Sequence, residues 1–307
     1  MHLFKENITN WYDWGQIFQS IPAFSKLIRY IFIKENLPFF EIEHLTPGSN
    51  AVFIVGDYVV KIYAPQESGM DQVEDFKTEL YATKRAMDLG IYVPKIISQG
   101  FIEDSYHFGY IITEYIQGKS FVDICDTMSR KDRIDFSKRL RGITSILNTP
   151  CEAFNGIDIV KEAIICTRWK KYPSSFNEER VNFISSYNYS DKVFCHGDLC
   201  GDNILISPAD EIFLIDFADS VYAPVIYEHA HIATELFNLD HSFLRGYFCN
   251  YSADDLADLC LAGLLVHDFG GDIIRQHIGE YDSFISLRSL REKIYERLTD
   301  NIILGEK

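Results

Sequence analysis

Residues 196–205, HGDLCGDNIL, and residues 215–219, IDFAD, decide how this chain is read. Between them NILIS, the turn PADE and IFLIDF spell a tight β-hairpin, two runs of β-branched and aromatic residues joined by turn chemistry. The hairpin leaves Asp198 and Asn203 on the loop that feeds it and Asp216 at its far end. Five positions separate Asp198 from Asn203, and thirteen separate Asn203 from Asp216. An HGD turn or an IDF strand end alone is commonplace. The two together, one hairpin apart, gather an amide and two carboxylates in one place.

Working towards the amino terminus, the first forty residues read as helical, with Ile17, Phe18, Ile21, Phe24, Leu27, Ile28 and Ile31 recurring every three or four positions and Pro22 kinking or dividing the segment. From Glu41 to Tyr63 the pattern changes to EIEHL, AVFIV and YVVKIY, separated by TPGSN and GD, which predicts a three-stranded meander. Asp71 to Leu89 returns to helical spacing through Val73, Phe76, Leu80 and Met87, with Gly90 suited to a left-handed cap. Lys95–Gln99 and Phe108–Ile116 are two further strands around a polar turn at Asp104. After Gly118 the chain is mainly helical, with helices expected over residues 130–147, 158–169, 178–187, 226–237, 253–266 and 286–298. This predicts an α+β fold: a β-rich part over residues 1–117 and a larger helical part over 118–307, packed as lobes of one unit without repeats or a flexible linker.

Composition sets the outer limits. The chain has 307 residues, 47% of them hydrophobic, enough to build a substantial core. No apolar run is long enough for a membrane span, and the start lacks a basic region followed by an apolar core, so a cytoplasmic protein without a membrane partner is expected. The seven cysteines are scattered without a CxxC pair, as in a protein with reduced thiols, and Cys195-His196 with Cys200 matches no trusted zinc spacing. A formal charge of −16 argues against a nucleic-acid partner and would favour a cationic ligand, although such acidity also serves solubility alone.

His196-Gly197-Asp198-Leu199-Cys200-Gly201-Asp202-Asn203-Ile204-Leu205 with Ile215-Asp216-Phe217-Ala218-Asp219 resembles the catalytic and metal-binding segments of the aminoglycoside phosphotransferases, which share the protein-kinase fold with choline kinases. The resemblance implies a bilobal protein-kinase-like fold, ATP or GTP as phosphoryl donor, and Mg²⁺. Asp198 is then the residue that orients the acceptor hydroxyl and accepts its proton, and Asn203 and Asp216 are the metal ligands. His196 takes a structural part, fixing the loop backbone.

Lys61, flanked by apolar residues on the third strand, needs a phosphate or carboxylate partner. Family order offers Glu79 on the following helix, with Glu74 as a substitute. The loop 46–51 has one glycine and no GxGxxG, so Gly48, Ser49 and Asn50 are either phosphate contacts or a plain turn. Glu114 and Tyr115 lie in a segment resembling the hinge whose main chain binds a purine.

The acceptor is expected to be a small, cationic molecule held by the helical half, with Asp219, Glu228, Glu235 and Asp268 as possible carboxylate contacts and Trp169, Tyr222 and Tyr227 as possible stacking surfaces. An aminoglycoside is the first choice. Choline, homoserine or a thiosugar would use the same machinery. A catalytically silent nucleotide-binding relative and a metal hydrolase using Asp198, Asp202 and Asp216 are the competing classes, while the absence of an APE-closed activation loop after Asp216 argues against a protein kinase.

Overall fold

The computed structural model describes residues 2–45, 48–70 and 72–305. The chain divides into two compact units, one of Met1–Tyr81 with Tyr92–Gly118, the other of Ala82–Ile91 with Lys119–Lys307.

In the first unit, helices α1 (Trp11–Ile17) and α2 (Ile21–Lys34) precede strands β1 (Ile42–His44), β2 (Ala51–Val55) and β3 (Tyr58–Ile62); helix α3 (Gln72–Asp88) and strands β4 (Ile96–Glu103) and β5 (His107–Glu114) follow. Pro22 divides the leader rather than kinking it. Ser20 caps α2 by accepting from the amide of Ala23, and Pro22 sits in the first turn, where its missing N–H costs nothing. The strands form one antiparallel sheet in the order β1-β2-β3-β5-β4. Its two faces follow from period-two alternation. Val60, Ile62, Phe108, Tyr110 and Ile112 pack with Phe24, Leu27, Ile28, Ile31 and Phe32 of α2. Ile111 points the other way and packs with Tyr63 and Phe76. Lys61, between Val60 and Ile62, is thereby turned to the α3 side.

The second unit contains β6 (Lys119–Ser120), α4 (Phe121–Ile124), α5 (Arg130–Leu147), α6 (Ile159–Ile165), α7 (Ser174–Ser186), β7 (Lys192–Cys195), β8 (Ile204–Ile206), β9 (Ile212–Leu214), β10 (Val221–Pro224), α8 (Ile226–His231), α9 (His241–Tyr247), α10 (Ala253–Val266), α11 (Gly270–His277) and α12 (Leu287–Gly305). The predicted hairpin is β8 and β9, and β6 adds a third strand beside β8. After Asp216 the chain reaches β10 and then a helix. Val221–Pro224 first pairs antiparallel with β7, and only then does α8 begin, continuing through a π turn over Ile232–Leu236. Helix α10 starts with a capping box of Ser252 and Asp255 and is buried from Leu256 to Val266 with only Asp258 excepted, so it forms the centre of this unit.

Candidate active site

The loop between β7 and β8 is built from the inside outward. His196 is fully buried. One ring nitrogen, Nε2, lies 3.0 Å from the carbonyl of Ile215, and the other, Nδ1, accepts the amide of Asp198 at 3.4 Å. The Ile215 amide donates to the carbonyl of Asn203 at 3.1 Å. Ile215 is thus held through both its amide and its carbonyl by residues of the first half of the motif, and this brings Asp216 beside Asp198 and Asn203. Asn203 closes the loop, its Nδ2 donating to the Asp198 carbonyl at 2.8 Å and to Asp198 Oδ2 at 3.1 Å. Gly197 has φ +88°, and a Cβ there would stand 1.9 Å from the Asp219 carbonyl oxygen, so only glycine fits the turn.

Charge gathers here. Burial, then the neighbouring carboxylates of Asp216 and Glu235, push the Asp198 carboxyl up to about 6, against the opposing hydrogen bond from Asn203. Asp216 itself sits in the left-handed region with φ 60°, a conformation Asp tolerates better than most residues. With its Nδ2 committed to Asp198, Asn203 has its amide oxygen left to offer. That oxygen and the Asp216 carboxylate are hard ligands, and the crowding of negative charge is what a divalent cation relieves, so the residues present fit Mg²⁺. Among the described residues no three His, Cys, Asp or Glu gather as a metal-holding group. Asp202, which the hydrolase alternative would use, is exposed.

In the first unit, Lys61 Nζ lies 2.7 Å from Glu79 Oε2, both side chains only 12% exposed, and the Tyr63 hydroxyl donates to the same carboxylate. Glu74 is occupied at the surface with Lys77, so Glu79 is the partner. In the glycine-poor loop, Thr46 and Pro47 lie outside the described residues. The Ser49 carbonyl accepts from Trp14 Nε1 at 2.8 Å, and Asn50 Oδ1 accepts from the Ala64 amide at 3.0 Å. Asn50 therefore holds the end of β3 with its oxygen. In the segment expected as the hinge, the Glu114 amide donates to the Lys95 carbonyl and the Tyr115 amide to that of Asp57.

Three comparisons with known proteins bear on this geometry. Residues 173–260 match the model of the phosphotransferase enzyme family. That span contains both halves of the motif and all of Asp198, Asn203 and Asp216, so the resemblance read from the sequence holds there. No match was found among curated proteins. Among solved structures the chain is similar to aminoglycoside 2'-phosphotransferase-IIIa in its GDP complex, at 14% identity and TM-score 0.60, covering 92% of this chain and 100% of that one. It is also similar to the choline kinase LicA of Streptococcus pneumoniae, at 17% identity and TM-score 0.58, covering 90% and 98%. An ethanolamine kinase of Plasmodium vivax aligns at 14% identity and TM-score 0.53, covering 95% and 92%. At such identities the likeness is one of fold, and the fold is the protein-kinase-like one.

Glu228, Glu235 and Asp268, three of the acids expected at the acceptor, have protein partners. Glu228 is 1% exposed; its Oε2 accepts the Gly197 amide at 3.1 Å and its Oε1 accepts from Asn148 Nδ2 at 3.0 Å. It supports the turn at Gly197 from beneath. Glu235 pairs with His277 at 2.8 Å, and Asp268 lies 3.6 Å from Arg168. Asp219 is exposed, and its carbonyl is the one that closes on Gly197. Trp169 and Tyr227 are core residues, Tyr227 stacking on His267. Sequence reasoning passed over His231, nearly fully buried close to Asp198, and His267, fully buried beside His231. The run EHAH, polar side chains packed among small apolar ones at the start of a helix, was the only available hint.

Proposed function

We propose that this protein is a small-molecule O-phosphotransferase that moves the γ-phosphoryl group of ATP or GTP to the hydroxyl of a cationic acceptor, most simply one of the aminoglycoside type. The observation that carries the reading is the clamp on Ile215, which holds Asp216 against an Asp198 already bonded to Asn203. In the reaction the acceptor oxygen forms its bond to the γ-phosphorus as the bond to the β-phosphate bridging oxygen breaks, and the hydroxyl proton passes to Asp198. A carboxyl poised near 6 is well matched to taking that proton at neutral pH. Bound at Asn203 and Asp216, Mg²⁺ would neutralise charge on the phosphates, and Lys61, oriented by Glu79, would hold a phosphate oxygen.

Related folds support both the donor and the acceptor class. A GDP and kanamycin complex is known for one neighbour and an AMP complex for the choline kinase, and the chain's charge of −16 favours an amine-bearing acceptor. The test is nucleoside diphosphate release with Mg²⁺ and ATP or GTP over a panel of aminoglycosides, choline, ethanolamine and other small alcohols. Acceptor-dependent release should appear for at least one amine-bearing alcohol and drop about 10²- to 10⁴-fold in Asp198→Asn. A protein that binds neither nucleotide would overturn the proposal.

A further inference from the structure

Behind Asp198 two buried histidines share a proton arrangement that the backbone dictates. His267 accepts the amide of Phe269 on Nδ1 at 3.2 Å, so its neutral ring carries the proton on Nε2. That nitrogen is 3.2 Å from Nδ1 of His231, which must accept, leaving His231 protonated on Nε2. The reverse arrangement would set an N–H on His267 against the N–H of Phe269. Burial keeps both rings neutral, drawing His231 down to about 4 and His267 well below its ordinary value.

The resulting His231 Nε2–H is 3.7 Å from Asp198 Oδ1, beyond hydrogen-bond length. It has no hydrogen-bond partner although the residue is only 2% exposed. The Gly197 carbonyl also faces both rings, yet takes no hydrogen bond of ordinary geometry from Nε2. An orphaned buried donor aimed at a carboxylate calls for an explanation. The helix widens into its π turn directly after His231, a distortion that recurs at functional sites.

Resting on the phosphotransferase reading above, we propose that His231 is a positioning residue for Asp198: its Nε2–H closes onto Oδ1 during turnover, so that Asn203 and His231 grip the two carboxylate oxygens, while His267 fixes the tautomer. Contacts of this kind are often long in an empty site and tighten when the substrate is bound.

Two measurements test this. In ¹⁵N-histidine spectra of the wild-type protein at neutral pH, His231 and His267 should both be Nε2–H tautomers, and the His231 Nε2 resonance should shift in Asp198→Asn. This needs no turnover, so a wild type inactive on every acceptor would refute the reaction without deciding the fate of His231. In kinetics, His231→Phe should lower kcat about 10- to 100-fold, the range expected for a hydrogen bond to a charged group, with the nucleotide KM within twofold of wild type, and His231→Gln should recover most of the loss. An Nδ1–H tautomer or a protonated ring at His231, a resonance indifferent to Asp198→Asn, or a folded His231→Phe with unchanged kcat would each overturn the proposal.

Discussion

Glu228→Gln should change how stability depends on pH. The carboxyl is buried beneath the catalytic loop, and burial pushes it up to about 6 from an ordinary 4.5, despite its hydrogen bonds from Asn148 and the Gly197 amide. A folded carboxyl that holds its proton more tightly than the unfolded one makes the protein more stable on the acid side, and this contribution is lost as the pH rises through about 6. At pH 8 the ionised group costs about 2 kcal/mol, and at pH 5.5, where the native carboxyl is mostly protonated, about 1 kcal/mol. Glutamine removes the titration but sets its NH₂ against one of the two donors, a penalty that does not vary with pH. Denaturant unfolding of both proteins between pH 5.5 and 8 stays above the sequence pI of ≈ 4.9. The stability of wild type minus variant should fall by about 1 kcal/mol across that range. A flat or rising difference would mean that Glu228 is not a buried carboxyl with a raised pKa.

Two other substitutions probe one residue in each unit. Gly197→Ala places a methyl on a backbone carbonyl in a left-handed turn; it should cost about 2–4 kcal/mol in urea unfolding and abolish turnover, and a variant within 0.5 kcal/mol of wild type would contradict the loop geometry. Lys61→Met leaves Glu79 without its cation at 2.7 Å. Nucleotide binding should weaken tenfold or more, reducing ligand-induced stabilisation by about 1.4 kcal/mol at saturating nucleotide, whereas undiminished stabilisation would remove Lys61 from the nucleotide site.

The motif and the periodic segments were legible because their signals are local. Helices over 130–147 and 253–266 emerge at the residues their spacing indicated, and Lys61 faces α3 because strand alternation leaves it no other side. What escaped depends on partners distant in sequence. Val221–Pro224 has a proline at its end and becomes a strand only because β7, some thirty residues earlier, supplies the ladder. Helices α9 and α11 are too short to show a period. Glu228 looks in sequence like any acid on a helix, and its role depends on an amide thirty-one positions away. The pairing of His231 with His267 spans thirty-six.

These distant partners share a design. Glu228 and His231 are three residues apart on α8, the spacing that puts two side chains on one helical face; one bonds Gly197 and the other faces Asp198. The orientation of the loop around Gly197 and Asp198 therefore follows the placement of a single short helix. That helix is set by α10, the buried centre of the unit, at a position where α10 has no side chain: a Cβ on Gly263 would lie 2.2 Å from the Ile226 carbonyl oxygen and 2.4 Å from the Ala230 Cβ. The close approach transmits the packing of the core to α8 and, through two polar contacts, to the loop. The Asp198 carboxylate thus takes its place from contacts inside the loop, through His196 and Asn203, and from the packing of α8 on the core beneath it.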